Sequence, residues 1–283
     1  MPVAKLLFQN TTKPRINTRE AIVFYLVSVW AVVRGEDGSK VSKNCTFSED
    51  DQYHGVKVDC SFGNFSTVPR NLPINTTSLY LNHNNIQYLL NNQFSQLLNL
   101  KYLNLNLNPI RAIQEDAFSN LNQLQEIQLY GHNLNYSESA LPDESLKPLK
   151  SLKRLNIRSN LKISANISSS KGFRHLWSLE SLVIDAIEFN VGFSELKNLK
   201  HLDLSKKDID GATFGCQLAY VTNSTFSVFK TVPILTLDLE NCLLYSIERH
   251  AFAPFLKLEN LILIPTSSSL MSFPEVIKNV TRF

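Results

Sequence analysis

Along most of this chain the apolar residues follow neither the 3.6-residue period of an amphipathic helix nor the strict alternation of a strand. In Leu100–Leu121 they stand at Leu100, Leu103, Leu105, Ile110 and Ile113, with Asn108 among them, followed by Phe118 and Leu121. This order reads as one turn of a coil. Leu103-x-Leu105 predicts a short strand with both leucines inward. Asn108 turns the chain and offers its amide to backbone groups that the turn leaves unpaired. Phe118 and Leu121 fill the interior from the far side. The template recurs as Leu79, Leu81, Asn84, Ile86, Leu89, Phe94 and Leu97, and again as Leu237, Leu239, Cys242, Leu244, Ile247, Phe252 and Phe255. Leu79 to Leu103, Leu103 to Ile127 and Leu237 to Leu261 are each 24 residues.

One such turn cannot bury its own apolar face, so neighbours must stack on it. The expected fold is α/β: a leucine-rich-repeat solenoid (horseshoe) with a parallel β-sheet on the concave face and mostly loops or short helices on the convex face. The inward pairs Ile127/Leu129, Leu155/Ile157, Leu182/Ile184 and Leu202/Leu204 carry the array through a less regular middle, with steps of 28, 27, 20 and 35 residues. Asn84, Asn108, His132, Asn160, Ile187, Lys207, Cys242 and Thr266 occupy the ladder position. Where asparagine is missing there, the backbone bonding of the turn is expected to loosen. The longest step contains Gly211–Lys230, an insertion that reads either as a binding loop or as a tolerated surface loop. The fold requires Leu79, Leu103, Ile127, Leu155, Leu182, Leu202, Leu237 and Leu261 to stack in single file.

The N-terminus adds a compartment. Lys5, Lys13, Arg15 and Arg19 precede the apolar run Ala21–Val33, which is short for a membrane span and suits the core of a signal peptide. Val33 and Gly35 fit cleavage after Gly35, with a short uncleaved anchor as the alternative. The expected division is 1–35 signal peptide, 36–75 N-terminal cysteine cap and 76–283 leucine-rich repeats. Glycosylation sequons follow at Asn44, Asn64, Asn75, Asn135, Asn166, Asn223 and Asn279, and together they point to a glycosylated extracellular surface. Cys45 and Cys60 bracket the alternating stretch Val56-Lys57-Val58-Asp59. In an oxidising compartment a disulfide there seals the first repeat, as against two buried thiols. Val280 and Phe283 read as the first inward positions of another turn, so the array is expected to be incomplete at the C-terminus. The net charge of +3 says nothing about partners, and nine glycines argue against glycine-rich phosphate loops.

No catalytic constellation is visible. The histidines at 54, 83, 132, 175, 201 and 250 show no H-x-x-x-H spacing, so the chain reads as a binding module, not an enzyme, with no cofactor or metal. Strand alternation places Tyr80, Tyr102, Tyr130, Arg154 and Arg158 on the concave face. The tyrosines offer area and a polar tip at modest entropic cost. No acidic residue stands between Glu144 and Glu180, whereas Lys147, Lys150, Lys153, Arg154, Arg158, Lys162, Lys171 and Arg174 do. Such a basic zone attracts phosphate or sulfate groups. The plainer reading is a solvated surface flanked by a glycan at Asn166. Cys242 either replaces the ladder asparagine as a small buried thiol or pairs with Cys216; the even cysteine count of a secreted chain tilts towards the disulfide.

The two-cysteine cap, the stretch Val68-Pro69…Leu72-Pro73…Leu79-Tyr80-Leu81…Asn84, the repeats of about 24 residues with Phe118-type back halves and the irregular centre together resemble the N-terminal part of a Toll-like receptor ectodomain. That resemblance implies recognition of microbial ligands outside the cell or in the endosomal lumen, dimerisation on ligand and innate immune signalling. It also implies a microbial ligand or protein partner on the concave or lateral face, homo- or heterodimers with another receptor, and membrane contact only through a C-terminal span. Nucleic acid is a less favoured ligand. The alternative is a secreted, soluble repeat protein acting as decoy, co-receptor, or adhesion or matrix protein.

Overall fold

The computed structural model describes residues 44–159, 171–185, 189, 191–205, 207–209, 212–214, 216, 218–242 and 244–263. The chain divides into two compact units, Met1–Val41 and Ser42–Phe283, and the described residues all belong to the second. The signal segment 1–35, the ladder residues Asn160, Ile187 and Thr266, Lys162, the sequons at Asn166 and Asn279, and the turn opening at Val280 lie outside them.

A ten-stranded sheet organises the unit. Strands Thr46–Asp50 and Gly55–Asp59 form an antiparallel hairpin at one edge. Gly55–Asp59 then pairs in parallel with Thr76–Tyr80, and Tyr102–Asn104, Glu126–Gln128, Arg154–Asn156, Ser181–Val183, His201–Asp203, Thr236–Asp238 and Asn260–Ile262 follow in chain order, all parallel. Leu79, Leu103, Ile127, Leu155, Leu182, Leu202, Leu237 and Leu261 are register partners in one unbroken file. This is the stack that the spacing demands, and the chain is a leucine-rich-repeat solenoid. From Leu79 to Leu237 the file is at most 3% exposed. Each side chain so buried contributes roughly 1.5–3 kcal/mol, which offsets the ordering of strands that are three residues long from Tyr102–Asn104 onward.

The other side of each coil holds little regular structure. Two-residue strands pair Tyr88–Leu89 with Ala112–Ile113 and Tyr220–Val221 with Ser246–Ile247. The helical segments among the described residues are 3-10 turns at Asp143–Leu146, Lys171–His175, Val191–Glu195 and Ser227–Thr231. Beneath them runs a file of rings: Phe94 stacks on Phe118 at 6.3 Å, Phe173 on Phe193 at 4.7 Å, and Phe226 on Phe252 at 5.9 Å.

The irregular middle is regular on its returning arm. Leu146/Leu149/Leu152, Phe173/Leu176/Leu179 and Phe193/Leu196/Leu199 are buried at the same offsets before their strands as Phe118/Leu121/Leu124. Length therefore varies only just after the ladder position, where the chain has left the sheet and not yet reached the ring file. The insertion begins before Gly211 and ends well short of Lys230. The extra chain forms the hairpin Lys207–Ile209/Ala212–Phe214, while Phe226 and Phe229 are fully buried and do the ordinary work of a coil.

The cap closes the exposed edge. Cys45 and Cys60 are disulfide-bonded. Buried Asp50 accepts the Thr77 hydroxyl at 2.7 Å, the Ser78 hydroxyl at 2.5 Å and the Tyr53 amide at 3.2 Å. Burial alone would raise its pKa; the bonds from Ser78, Thr77 and Tyr53 outweigh that and hold it below the usual carboxylate value. Gly55 is required by proximity, since a Cβ there would lie 2.3 Å from Thr77 Cγ2 and 2.9 Å from the Asn75 carbonyl oxygen.

Candidate ligand-binding face

The outward face of the sheet is built from the residues on either side of the buried file. Near the cap, the Tyr80 and Tyr102 rings lie 5.1 Å apart. Lys57 Nζ sits 4.6 Å from the Tyr80 ring centroid, and Lys101 Nζ donates to the Tyr53 carbonyl oxygen at 3.2 Å. Burial raises the Tyr102 phenol well above its ordinary pKa, with Tyr80 and Glu126 adding to the shift. Burial, then Asp50 and Asp59, raise Tyr80. Both hydroxyls are therefore neutral at physiological pH and able to donate. Next along the sheet, Arg154 Nε donates to Glu126 Oε2 at 2.5 Å, Gln128 Nε2 to Glu126 Oε1 at 2.9 Å, and Asn156 Nδ2 to Gln128 Oε1 at 3.2 Å.

Several residues of this face are committed to the coil itself. Asp59, Asn104, Asp203 and Asp238 each accept the backbone amide two residues on, from Ser61, Asn106, Ser205 and Glu240. These Asx turns end the short strands. Tyr130 lies beyond its strand, half-buried, with its amide donating to Asn106 Oδ1 at 3.0 Å.

Arg158 is a correction to the expected set. Its side chain is 2% exposed and forms an ion pair with Asp203, and it donates to Ser205 Oγ at 3.1 Å. A guanidinium so enclosed is a structural tie rather than a ligand contact. Part of the basic zone is paired. Lys147 pairs with Glu144 at 2.7 Å, Arg154 with Glu126, and Arg174 with Asp143 and Glu144 at 3.4 Å each. Lys150, Lys153 and Lys171 are exposed. A run of one and a half repeats crosses several sides of the coil, and neighbouring coils bring carboxylates from outside the run.

The ladder holds and extends further than asparagine does. Asn84 Nδ2 donates to the carbonyls of Cys60 and Leu81, and its Oδ1 accepts the Phe65 amide. Asn108 does the same for Leu81, Leu105 and the Ile86 amide. His132 keeps the bonding instead of loosening it: Nδ1 accepts the Leu134 amide at 2.9 Å, which leaves Nε2 to donate to the Ile157 carbonyl at 3.1 Å. Burial depresses its pKa to about 4. Beside it the Tyr136 hydroxyl and the Ser159 amide donate to Asp185 Oδ2, at 2.7 and 2.8 Å. Burial raises the Asp185 carboxyl to about 6 against these bonds. Cys242 takes the ladder position as half of a disulfide with Cys216. The five described sequon asparagines, Asn44, Asn64, Asn75, Asn135 and Asn223, are all exposed. Among the described residues no three His, Cys, Asp or Glu side chains are grouped to hold a metal.

Residues 74–134 match the leucine rich repeat family model. The chain is 41% identical over 76 residues to human leucine-rich repeat-containing protein 3B, covering 26% of this chain and 29% of that one. It is 41% identical over 75 residues to Epiphycan of Gallus gallus, covering 26% and 23%. It is 30% identical over 135 residues to human Toll-like receptor 8, covering 43% and 13%. Among solved structures, the crystal structure of the TLR13-ssRNA13 complex aligns with a TM-score of 0.54 and 24% identity, covering 68% of this chain and 25% of that one; this likeness is one of fold. The chain spans less than a third of the length of the curated relatives it matches. It is thus a leucine-rich-repeat solenoid capped by a disulfide-bonded hairpin, similar both to a Toll-like receptor and to other proteins of the same repeat.

Proposed function

We propose that this chain is a ligand-binding part of a Toll-like pattern-recognition ectodomain, entering the secretory pathway and binding a microbial ligand on its sheet face before dimerising. The observation that carries the reading is the Tyr80–Tyr102 pair with Lys57 beside it: two adjacent rings and a cation on the outward face, where Asp59, Asn104, Asp203 and Asp238 are tied into turns. The likeness to human Toll-like receptor 8, over 43% of this chain, supports it. Most arginines of the basic run are paired, so nucleic acid remains the less favoured ligand. Titrating the secreted full chain with a single-stranded RNA, a lipopeptide and a lipopolysaccharide tests it. One of them is expected to bind saturably, and Tyr80→Ala with Tyr102→Ala to weaken it by about tenfold or more with unchanged melting. Unchanged affinity would move the site off the sheet face.

The second reading is a secreted, soluble repeat protein, favoured by the higher identity to Epiphycan. Native protein found in the medium rather than in the membrane fraction would select it.

A further inference from the structure

A cleft of about 400 Å³ lies away from the sheet face, between the cap segment Thr67–Leu72 and Leu90–Leu97 of the first coil. That volume is within the range of small-ligand clefts, roughly 300–1,000 Å³. Its lining mixes polar and apolar groups: Leu90, 39% exposed, presents apolar surface, whereas Val68, Leu72 and Leu97 are at most 7% exposed. Its rim is polar, with exposed Arg70, Asn71 and Gln96. Gln93 Oε1 accepts the Leu90 amide at 3.1 Å, which fixes the Gln93 carboxamide at the cleft. No aspartate or glutamate lines the cleft.

These groups define a ligand. Carboxamides donate and accept together, as pairs of neighbouring sugar hydroxyls require. The exposed Leu90 side chain suits the C–H face of a pyranose. A single guanidinium in a lining free of carboxylates selects an anion, and its planar fork can pair with a carboxylate through two parallel hydrogen bonds. We propose that this cleft binds a carboxylated sugar, of the uronate or sialic acid class, at the end of a glycan.

The test is saturation-transfer NMR and calorimetry of the secreted full chain with sialyllactose, glucuronate and neutral lactose. The two acidic sugars are expected to bind saturably, and lactose to bind about tenfold more weakly or not at all. Arg70→Gln is expected to reduce acidic-sugar binding about tenfold and Gln96→Ala severalfold, while Tyr80→Ala with Tyr102→Ala leaves it unchanged. Arg70 is exposed, so its replacement should leave the melting temperature unaltered, and that measurement accompanies each variant. Binding seen only after sialidase treatment of the protein would identify the chain's own N-glycans as the occupant and would still support the cleft. Equal affinity for lactose, indifference to Arg70→Gln, or no saturable binding up to about 10 mM would overturn the proposal.

Discussion

At the ladder position one side chain serves three backbone groups. Asn108 is fully buried and bonds two carbonyls and one amide from its own coil and the one before it. Asn108→Ala leaves those groups without partners in a dry core, at about 1–3 kcal/mol each where no water replaces the amide. A loss of at least about 3 kcal/mol in urea unfolding is expected; less than about 1 kcal/mol would show that water substitutes for the amide. His132 does the same work with a titratable ring. Its pKa falls from 6.5 to about 4 on folding, so the unfolded chain takes up a proton that the folded one refuses. The stability this residue confers is complete above pH 6.5 and lost as pH falls towards 4, by roughly 3 kcal/mol. Asp185 has the opposite sign. Its carboxyl is raised from 3.8 to about 6, so its stabilising share is complete below 3.8 and lost as pH rises through 6. The pair therefore compensate in the wild type, and His132→Asn exposes the histidine term. The variant's melting temperature, relative to wild type, should rise on going from pH 7 to pH 4.5. A difference that does not change with pH would show that His132 is accessible to protons in the folded state.

Each coil is divided between a part that cannot vary and a part that can. Three-residue strands hold register because a slip of one residue would turn the inward leucine outward, and the returning arm is held by the ring file. Between ladder and returning arm, strand pairing of neighbouring coils is limited to two-residue pairs among the described residues, and there the hairpin Lys207–Ile209/Ala212–Phe214 is accommodated. Cys216–Cys242 ties its far end to the ladder position and spans 26 residues. Replacing both by serine should lower stability by about 3 kcal/mol. Cys216→Ser with Cys242→Asn should recover part of it, because an asparagine amide there can reach the Leu204 carbonyl, now 3.7 Å from Cys242 Sγ. Denaturation midpoints of the three proteins check this; a double serine as stable as the parent would mean that the hairpin needs no tie.

Across the whole unit, side chains distant in sequence meet at coil spacing, and this decides which surfaces are available. Arg158 meets Asp203 two coils away, and Arg154 meets Glu126 one coil away. A charge run read along the chain overstates the field it produces, because the partners come from neighbouring turns. The file from Leu79 to Leu261 and the asparagine ladder were legible because each coil repeats its own apolar code, and a coil with that code can bury it only against copies of itself. The cap disulfide followed from two cysteines beside one strand. Local spacing is silent about which outward side chain finds a neighbour. The burial of Arg158, the bonding that His132 keeps at the ladder position, the pairing of Arg154 with Glu126 and the cleft between cap and first coil all depend on contacts between turns. Periodicity states what must be buried, whereas the accessibility of a polar group depends on what the adjacent turns bring beside it.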